Sequence, residues 1–235
     1  KEEITDHIHG PPCRDYWLQR QCVGTLNGIA WECMERALGR QPLSRQREIT
    51  KHASGHFSIG KKMKLWGLRS NSSCPVCGRE GETLEHMYLC QDKRAMDTWE
   101  KSMSLFRKFL QKRNTCPDII DALTDGLSAW RRQQTYELPA SNTWFGLRAA
   151  VESQSAIGWG ALLNGFLSTA WLESQDAYFK WRKKHNTGAV WASSVISELW
   201  SFAWRIWEHR NDIIHAPGDG LARRTLLREV EEEKA

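Results

Sequence analysis

Four residues of this chain stand at a spacing that can hold a metal ion: Cys74-x2-Cys77-x8-His86-x3-Cys90. Zinc takes four soft or borderline ligands at tetrahedral angles. A Cys-x2-Cys turn brings two thiolates to one ion, and Gly78 lets the backbone turn tightly behind them. His86 and Cys90 are four apart, so on a helix they share one face. Turn plus helix closes a Cys3His site around one zinc ion with no open position, which makes the expected role structural and not catalytic. Cys13, Cys22, Cys33 and Cys116 have no partner at such spacing and are expected to be ordinary reduced cysteines.

A second constellation lies just before the first. Residues 40–70 carry eight basic residues against one acid, so the formal charge of +5 belongs to this segment and the remainder is slightly acidic. Arg45, Arg47, Lys51, Lys61, Lys62, Lys64 and Arg69 can neutralise phosphates, and His56, Phe57 and Trp66 are interleaved where they can stack on bases. The plainer alternative is that Met63, Leu65 and Trp66 pack the zinc lobe while the lysines are merely solvated. His52 and His56, four apart, form a weaker metal pair, set aside because four better ligands are at hand.

The elements that position these residues are expected to be helical nearly throughout, with alternating strand patterns almost absent. Helices are expected over Leu26–Leu38, from Ser44 to near Gly55, and from Ser58 to Gly67, with Thr83 opening another through His86 and Cys90. Met96, Trp99, Met103, Phe106 and Leu110 mark one amphipathic helix, and Pro117 starts the next, with Ile120, Leu123, Leu127 and Trp130 inward. Arg131–Thr143 reads as a polar loop. Further helices are expected at Trp144–Val151, Ala156–Phe166, Leu167–Lys184 and Ala189–Ile214, and a charged one after Gly220. The fold class is therefore predominantly α: a linker or tail of an upstream domain over 1–22, a zinc-binding lobe over 23–92 and a Trp-rich helical bundle over 93–235.

The stretch Ile29–Cys90 resembles the zinc-binding region C-terminal to the polymerase in non-LTR retrotransposon reverse transcriptases. The matching words are Ile29-Ala30-Trp31, Lys51-His52-Ala53-Ser54-Gly55-His56-Phe57, Gly60-Lys61-Lys62-Met63-Lys64-Leu65-Trp66, Cys74-Pro75-Val76-Cys77-Gly78 and Glu82-Thr83-Leu84-Glu85-His86, followed by Cys90. They cover about a quarter of the chain. The resemblance implies a nucleic-acid-binding appendage, for RNA or DNA, of a polymerase lying upstream in the same polypeptide. It does not imply polymerase activity here: no Tyr/Phe-x-Asp-Asp word is present, and no paired carboxylates able to hold two magnesium ions lie on a plausible strand. The chain opens Lys-Glu-Glu without Met, as a piece of a longer polypeptide would.

Thirteen tryptophans are several times the usual number. Trp200, Trp204 and Trp207 follow Ile196 at helical spacing and read as a buried stripe, with Trp159, Trp171, Trp181 and Trp191 expected to fill facing positions. The stripe ends in Arg210-Asn211-Asp212-Ile213-Ile214-His215. Arg-x4-His with a polar residue after the Arg is similar to the motif of HEPN-type ribonucleases, which are all-helical dimers. In that reading His215 moves a proton of the 2′-hydroxyl or leaving oxygen, and Arg210, beside Asn211, holds the phosphate charge. The alternative is that Arg210 and Asn211 bond neighbouring backbone and His215 meets the helix C-terminus.

Three functions are thus in play: a non-catalytic zinc-stabilised nucleic-acid module, a metal-independent ribonuclease, and a zinc-organised protein-interaction domain. Length and composition are those of a globular chain with a sizeable core. No apolar run approaches the ~18 residues that cross a bilayer, and no signal peptide opens the chain. The expected location is intracellular, nuclear or cytoplasmic, with no membrane partner.

Overall fold

The computed structural model describes residues 24–140 and 144–215. Among them the chain is mostly helical and forms no strand; an isolated antiparallel bridge joins Ile29 to Ser168. The helices are α1 (Trp31–Gly39), α2 (Leu43–Ala53), α3 (Gly60–Leu65), α4 (Leu84–Leu89), α5 (Lys93–Lys112), α6 (Pro117–Arg131), α7 (Leu147–Ile157), a 3-10 turn (Gly160–Asn164), α8 (Thr169–Trp181) and α9 (Gly188–Ile214). No helix among the described residues is long and apolar enough to cross a membrane. The charged helix expected after Gly220, the 1–22 linker, Cys13 and Cys22 lie outside the described residues.

These residues divide into two compact units, and the division is not sequential. Of the described residues, a bundle unit takes 24–54 together with Met103–Phe202, and a smaller unit takes Gly55–Ser102 together with 203–215. The expected break at residue 92 therefore falls differently on both sides. Helices α1 and α2, assigned by sequence to the zinc lobe, belong to the bundle unit, while the end of α9 belongs to the smaller one. The reason is physical: the division falls within the long helices α5 and α9, and hydrophobic periodicity does not mark such a point.

In the bundle unit Phe106, Leu110, Ile119, Leu123, Leu127, Leu147, Trp171, Phe179 and Trp191 are fully buried. Its buried polar side chains close backbone groups that helix ends leave open. Gln175 of α8 accepts from the Cys116 N–H at 3.0 Å and donates to the Asn114 carbonyl at 3.2 Å, stitching the α5–α6 corner. Gln154 of α7 accepts from the Ser168 N–H and the Trp171 indole, while the Trp191 indole donates to Thr115 at 2.8 Å. Burial pushes the Cys33 and Cys116 thiols up, as befits inert reduced cysteines.

Several boundaries differ from the sequence reading. α1 starts at Trp31, because Leu26–Ala30 is taken by a turn and the bridge to Ser168. α2 and α3 begin after Pro42 and Ile59 without the side-chain caps expected from Ser44 and Ser58. The expected helix over Ala156–Phe166 is interrupted, since Gly158 at φ +112 cannot continue α7 and the chain resumes as a 3-10 turn. Met96 is half-exposed, whereas the rest of its stripe is buried. Of the expected facing tryptophans, Trp159, Trp171 and Trp191 are buried, but Trp181 is 64% exposed.

His52 of α2 is buried in the bundle unit, and loss of solvation, with Arg45 adding repulsion, pushes its imidazole down to about 3. The unfolded chain, with an ordinary value near 6.5, therefore takes up the proton first. The stabilising contribution is complete above about pH 6.5 and is lost as pH falls toward 3. Going from pH 7 to 5 is expected to cost about 2 kcal/mol through this group. Denaturant unfolding at both pH values, beside His52→Gln, checks it: the variant loses that much less, and equal losses would contradict the assignment.

Candidate metal centre and nucleic-acid interface

In the smaller unit the segment Ser72–Cys90 folds as a turn followed by a short helix. The Cys74 N–H donates to the Arg79 carbonyl at 2.8 Å, the Gly78 N–H to the Cys74 carbonyl at 2.8 Å, and the Glu82 N–H to the Ser72 carbonyl at 2.9 Å. Gly78 takes φ +75, the left-handed conformation that the turn between the first two cysteines requires. Thr83, expected to open this helix, caps α4 by accepting from the His86 N–H at 3.0 Å. Cys90 is the residue that ends α4 and is not inside it.

This brings the ligand atoms of Cys74, Cys77, His86 and Cys90 within 4.8 Å of one another, a Cys3His group able to hold a metal ion. Cys77 Sγ lies 3.3 Å from His86 Nε2. Cys74 and Cys90 are buried beside Val76 and Ala95, with Ile213 packed against them, while Cys77 is exposed. The Cys74 thiol is pushed down to about 4, chiefly by its hydrogen bond with Cys90, and that same contact pushes Cys90 up. Arg94 donates to the Val76 carbonyl and to Asp92, fixing the turn to the start of α5.

Glu82, fully buried, ties this turn to its surroundings. Its carboxylate accepts from Arg210 Nε at 2.8 Å and Arg210 Nη2 at 2.6 Å, and also from the Gly60 N–H that opens α3. Its carbonyl accepts from the Lys61 N–H at 3.1 Å. One side chain thus joins the metal-binding turn, the basic helix and the end of α9. Arg210 is 2% exposed, its guanidinium also lies 5.0 Å from the Trp207 ring centre, and Asn211 accepts from it at 3.1 Å. Trp207 stacks in turn on Phe57, with ring centres 4.3 Å apart.

The structure sorts the sequence candidates accordingly. Arg210 is committed to Glu82 on the buried side of α9, whereas His215, beyond the last helical residue, is exposed, so the two are not brought together. Phe57 is buried against Trp207 and is not available to stack on a base. Lys61, Lys64 and His56 are exposed, Lys62 and Arg69 partly so, and Trp66 is 43% exposed between the more open Leu65 and Leu68. Arg69 donates to Asn71 at 3.1 Å and leaves Nη1 without a hydrogen-bond partner. Arg45, Arg47 and Lys51 stand on α2 in the bundle unit. Arg47 and Lys51 are exposed there, while Arg45 is half-buried, paired with Glu48 and donating to the Trp200 carbonyl. His52 is buried and His56 exposed, and neither belongs to the cysteine cluster.

Sequence reasoning placed Glu82 only within a matching word and gave it no role. Its importance lies in a partner 128 positions away, which no local pattern reveals. Comparison with protein-family models, with curated proteins and with solved structures finds no match to the chain.

Proposed function

We propose that the smaller unit is a zinc-stabilised nucleic-acid-binding module, non-catalytic in itself, from the C-terminal part of a retrotransposon-type reverse transcriptase. The observation that carries the reading is the coupling of a Cys3His cluster to a lysine-bearing helix through Glu82, which receives hydrogen bonds at the start of α3 and sits four residues before His86. Zinc is the metal the donor set favours: three thiolates and one imidazole fill four positions, and a tetrahedral site with Zn–S near 2.3 Å needs sulfurs about 3.8 Å apart. The observed spread requires only a small contraction.

Lys61, Lys62 and Lys64 supply the charge for phosphates, and Trp66 supplies a partly open ring. RNA or DNA is the partner in this reading, the polymerase lies upstream in the same polypeptide, and the working compartment is nuclear or cytoplasmic. The ribonuclease alternative loses support because Arg210 is already bound to Glu82 and offers no free guanidinium face to a phosphate. The experiment is a salt series. Binding should fall with salt by a log–log slope of about −0.7 to −0.9 per phosphate contacted, and replacing Lys61, Lys62 and Lys64 with Gln should weaken binding and flatten the slope by about two to three units. A triple variant that binds as the parent does would make these lysines a solvated face.

A further inference from the structure

The bundle unit carries a different surface that neither the metal cluster nor the basic helix explains. Trp181, the last residue of α8, is 64% exposed, and Phe145 is 74% exposed. Both are large apolar groups that a bundle would ordinarily bury, since each leaves substantial apolar area in water. The Trp181 ring is backed by other rings, and the Phe145 backbone is anchored. The Trp144 indole donates to the Ser174 carbonyl at 3.2 Å, and the Ser174 hydroxyl donates to the Phe145 carbonyl at 2.8 Å, which ties the 144–145 turn to α8. Trp144, Tyr178 and Trp181 then form a cluster with ring centres 5.4–5.8 Å apart, so Trp181 is backed by two other rings.

Positive charge flanks Trp181 along the chain. Lys180, Arg182, Lys183 and Lys184 are all exposed, and no acid occurs between Lys180 and Gly188. The Arg182 guanidinium lies 5.7 Å from the Trp181 ring centre. The nearest acid before them on α8, Asp176, is occupied by the Gly188 N–H. The cations also sit on ordered backbone: the Lys183 N–H donates to the Lys180 carbonyl and the Lys184 N–H to the Phe179 carbonyl, the paired bonds that close a helix C-terminus. Lys183 takes φ +51 there, a conformation that favours glycine, yet a charged side chain occupies it.

We propose that this cluster is a second nucleic-acid contact, one that takes a single strand by stacking a base on Trp181 while Lys180, Arg182, Lys183 and Lys184 meet the flanking phosphates. A duplex hides its base faces, so a stacking platform selects unpaired nucleotides. Flat rings beside clustered cations fit a base and its phosphates. An acidic peptide would use the charge but leave Trp181 in water. The site shares no residue with the zinc-lobe reading and does not depend on it.

The test uses the full chain and a short single-stranded oligonucleotide carrying 5-iodouracil, in the parent and in the Lys61, Lys62, Lys64→Gln background. Photocross-linking should place the strand on the peptide containing Trp181 in both. Trp181→Ala should weaken single-strand binding roughly five- to hundred-fold in both, with Trp181→Phe retaining most of it, and a duplex of equal length should compete poorly. Trp181 is exposed, so its loss leaves no core cavity to confuse the reading. The proposal is overturned if Trp181→Ala binds like its parent, if that peptide carries no cross-link, or if an acidic peptide displaces the strand as well as unlabelled strand does. Loss of the salt slope on the lysine changes alone, with the Trp181 effect intact, would support both sites independently.

Discussion

Stripping metal from the protein with a strong chelator is expected to unfold Ser72–Cys90 while leaving the bundle unit helical. Glu82 anchors the turn at its C-terminal end, but the stretch that carries the first two cysteines has little else to hold it. Glycines at positions 78 and 81 take positive φ, α4 is a single short helix, and Cys77 is exposed. Structural zinc contributes about 10–16 kcal/mol in small finger peptides, far more than a few turn hydrogen bonds offset. The bundle unit, whose core is built from Phe106, Leu123, Trp171 and Trp191, contains none of the four ligands. Hydrogen exchange reads this locally. The amides of Cys74, Gly78, Glu82 and His86, all donating within the turn, should lose protection on chelation and regain it when zinc is returned. Cys77→Ser should do the same without chelator, since an exposed ligand leaves no cavity behind. Amides that stay protected in metal-free protein would show that the turn stands without metal.

The second large effect is expected at the Glu82–Arg210 pair. Both side chains are removed from water, at 0% and 3% exposure, so each charge depends on the other for compensation. Removing one partner of such a pair costs about 3–5 kcal/mol, because the survivor is left buried and uncompensated, whereas exchanging both for apolar groups costs far less. Arg210→Met is therefore expected to destabilise the smaller unit by about that amount, and Glu82→Leu with Arg210→Met by less than the sum of the single changes. Some cost remains in the double variant, since the Gly60 N–H loses its acceptor. A denaturant-unfolding double-mutant cycle measures the coupling. Strictly additive losses would mean that the two charges do not depend on one another.

What the sequence revealed, and what it concealed, follows from the range of the interactions. The Cys3His cluster was legible because a tight turn and a short helix fix its spacing within seventeen residues. Helices α5, α6 and α9 were legible because each repeats its apolar stripe over several turns, and Pro117 marked a start. Short elements were less so: Gly158 breaks what periodicity alone continues. The partner of Arg210 was hidden, since the Arg-Asn word offered a catalytic motif or a bond to neighbouring backbone, and Glu82 stands in neither. Trp181 was misplaced for a related reason. It stands ten positions after buried Trp171, about 80° off the same face of an ideal helix, at a terminus where the core no longer covers it.

In the proposed function a metal-closed turn presents the basic helix to nucleic acid, with Glu82 as the link. It is tested most directly by measuring oligonucleotide affinity for the parent and for the Lys61, Lys62, Lys64→Gln variant, each with metal and after chelation. With metal the parent should bind more tightly and with the steeper salt slope. After chelation its advantage should vanish, the two proteins binding alike through whatever other surface remains. A parent that keeps its full advantage over the variant once the metal is gone would contradict the account.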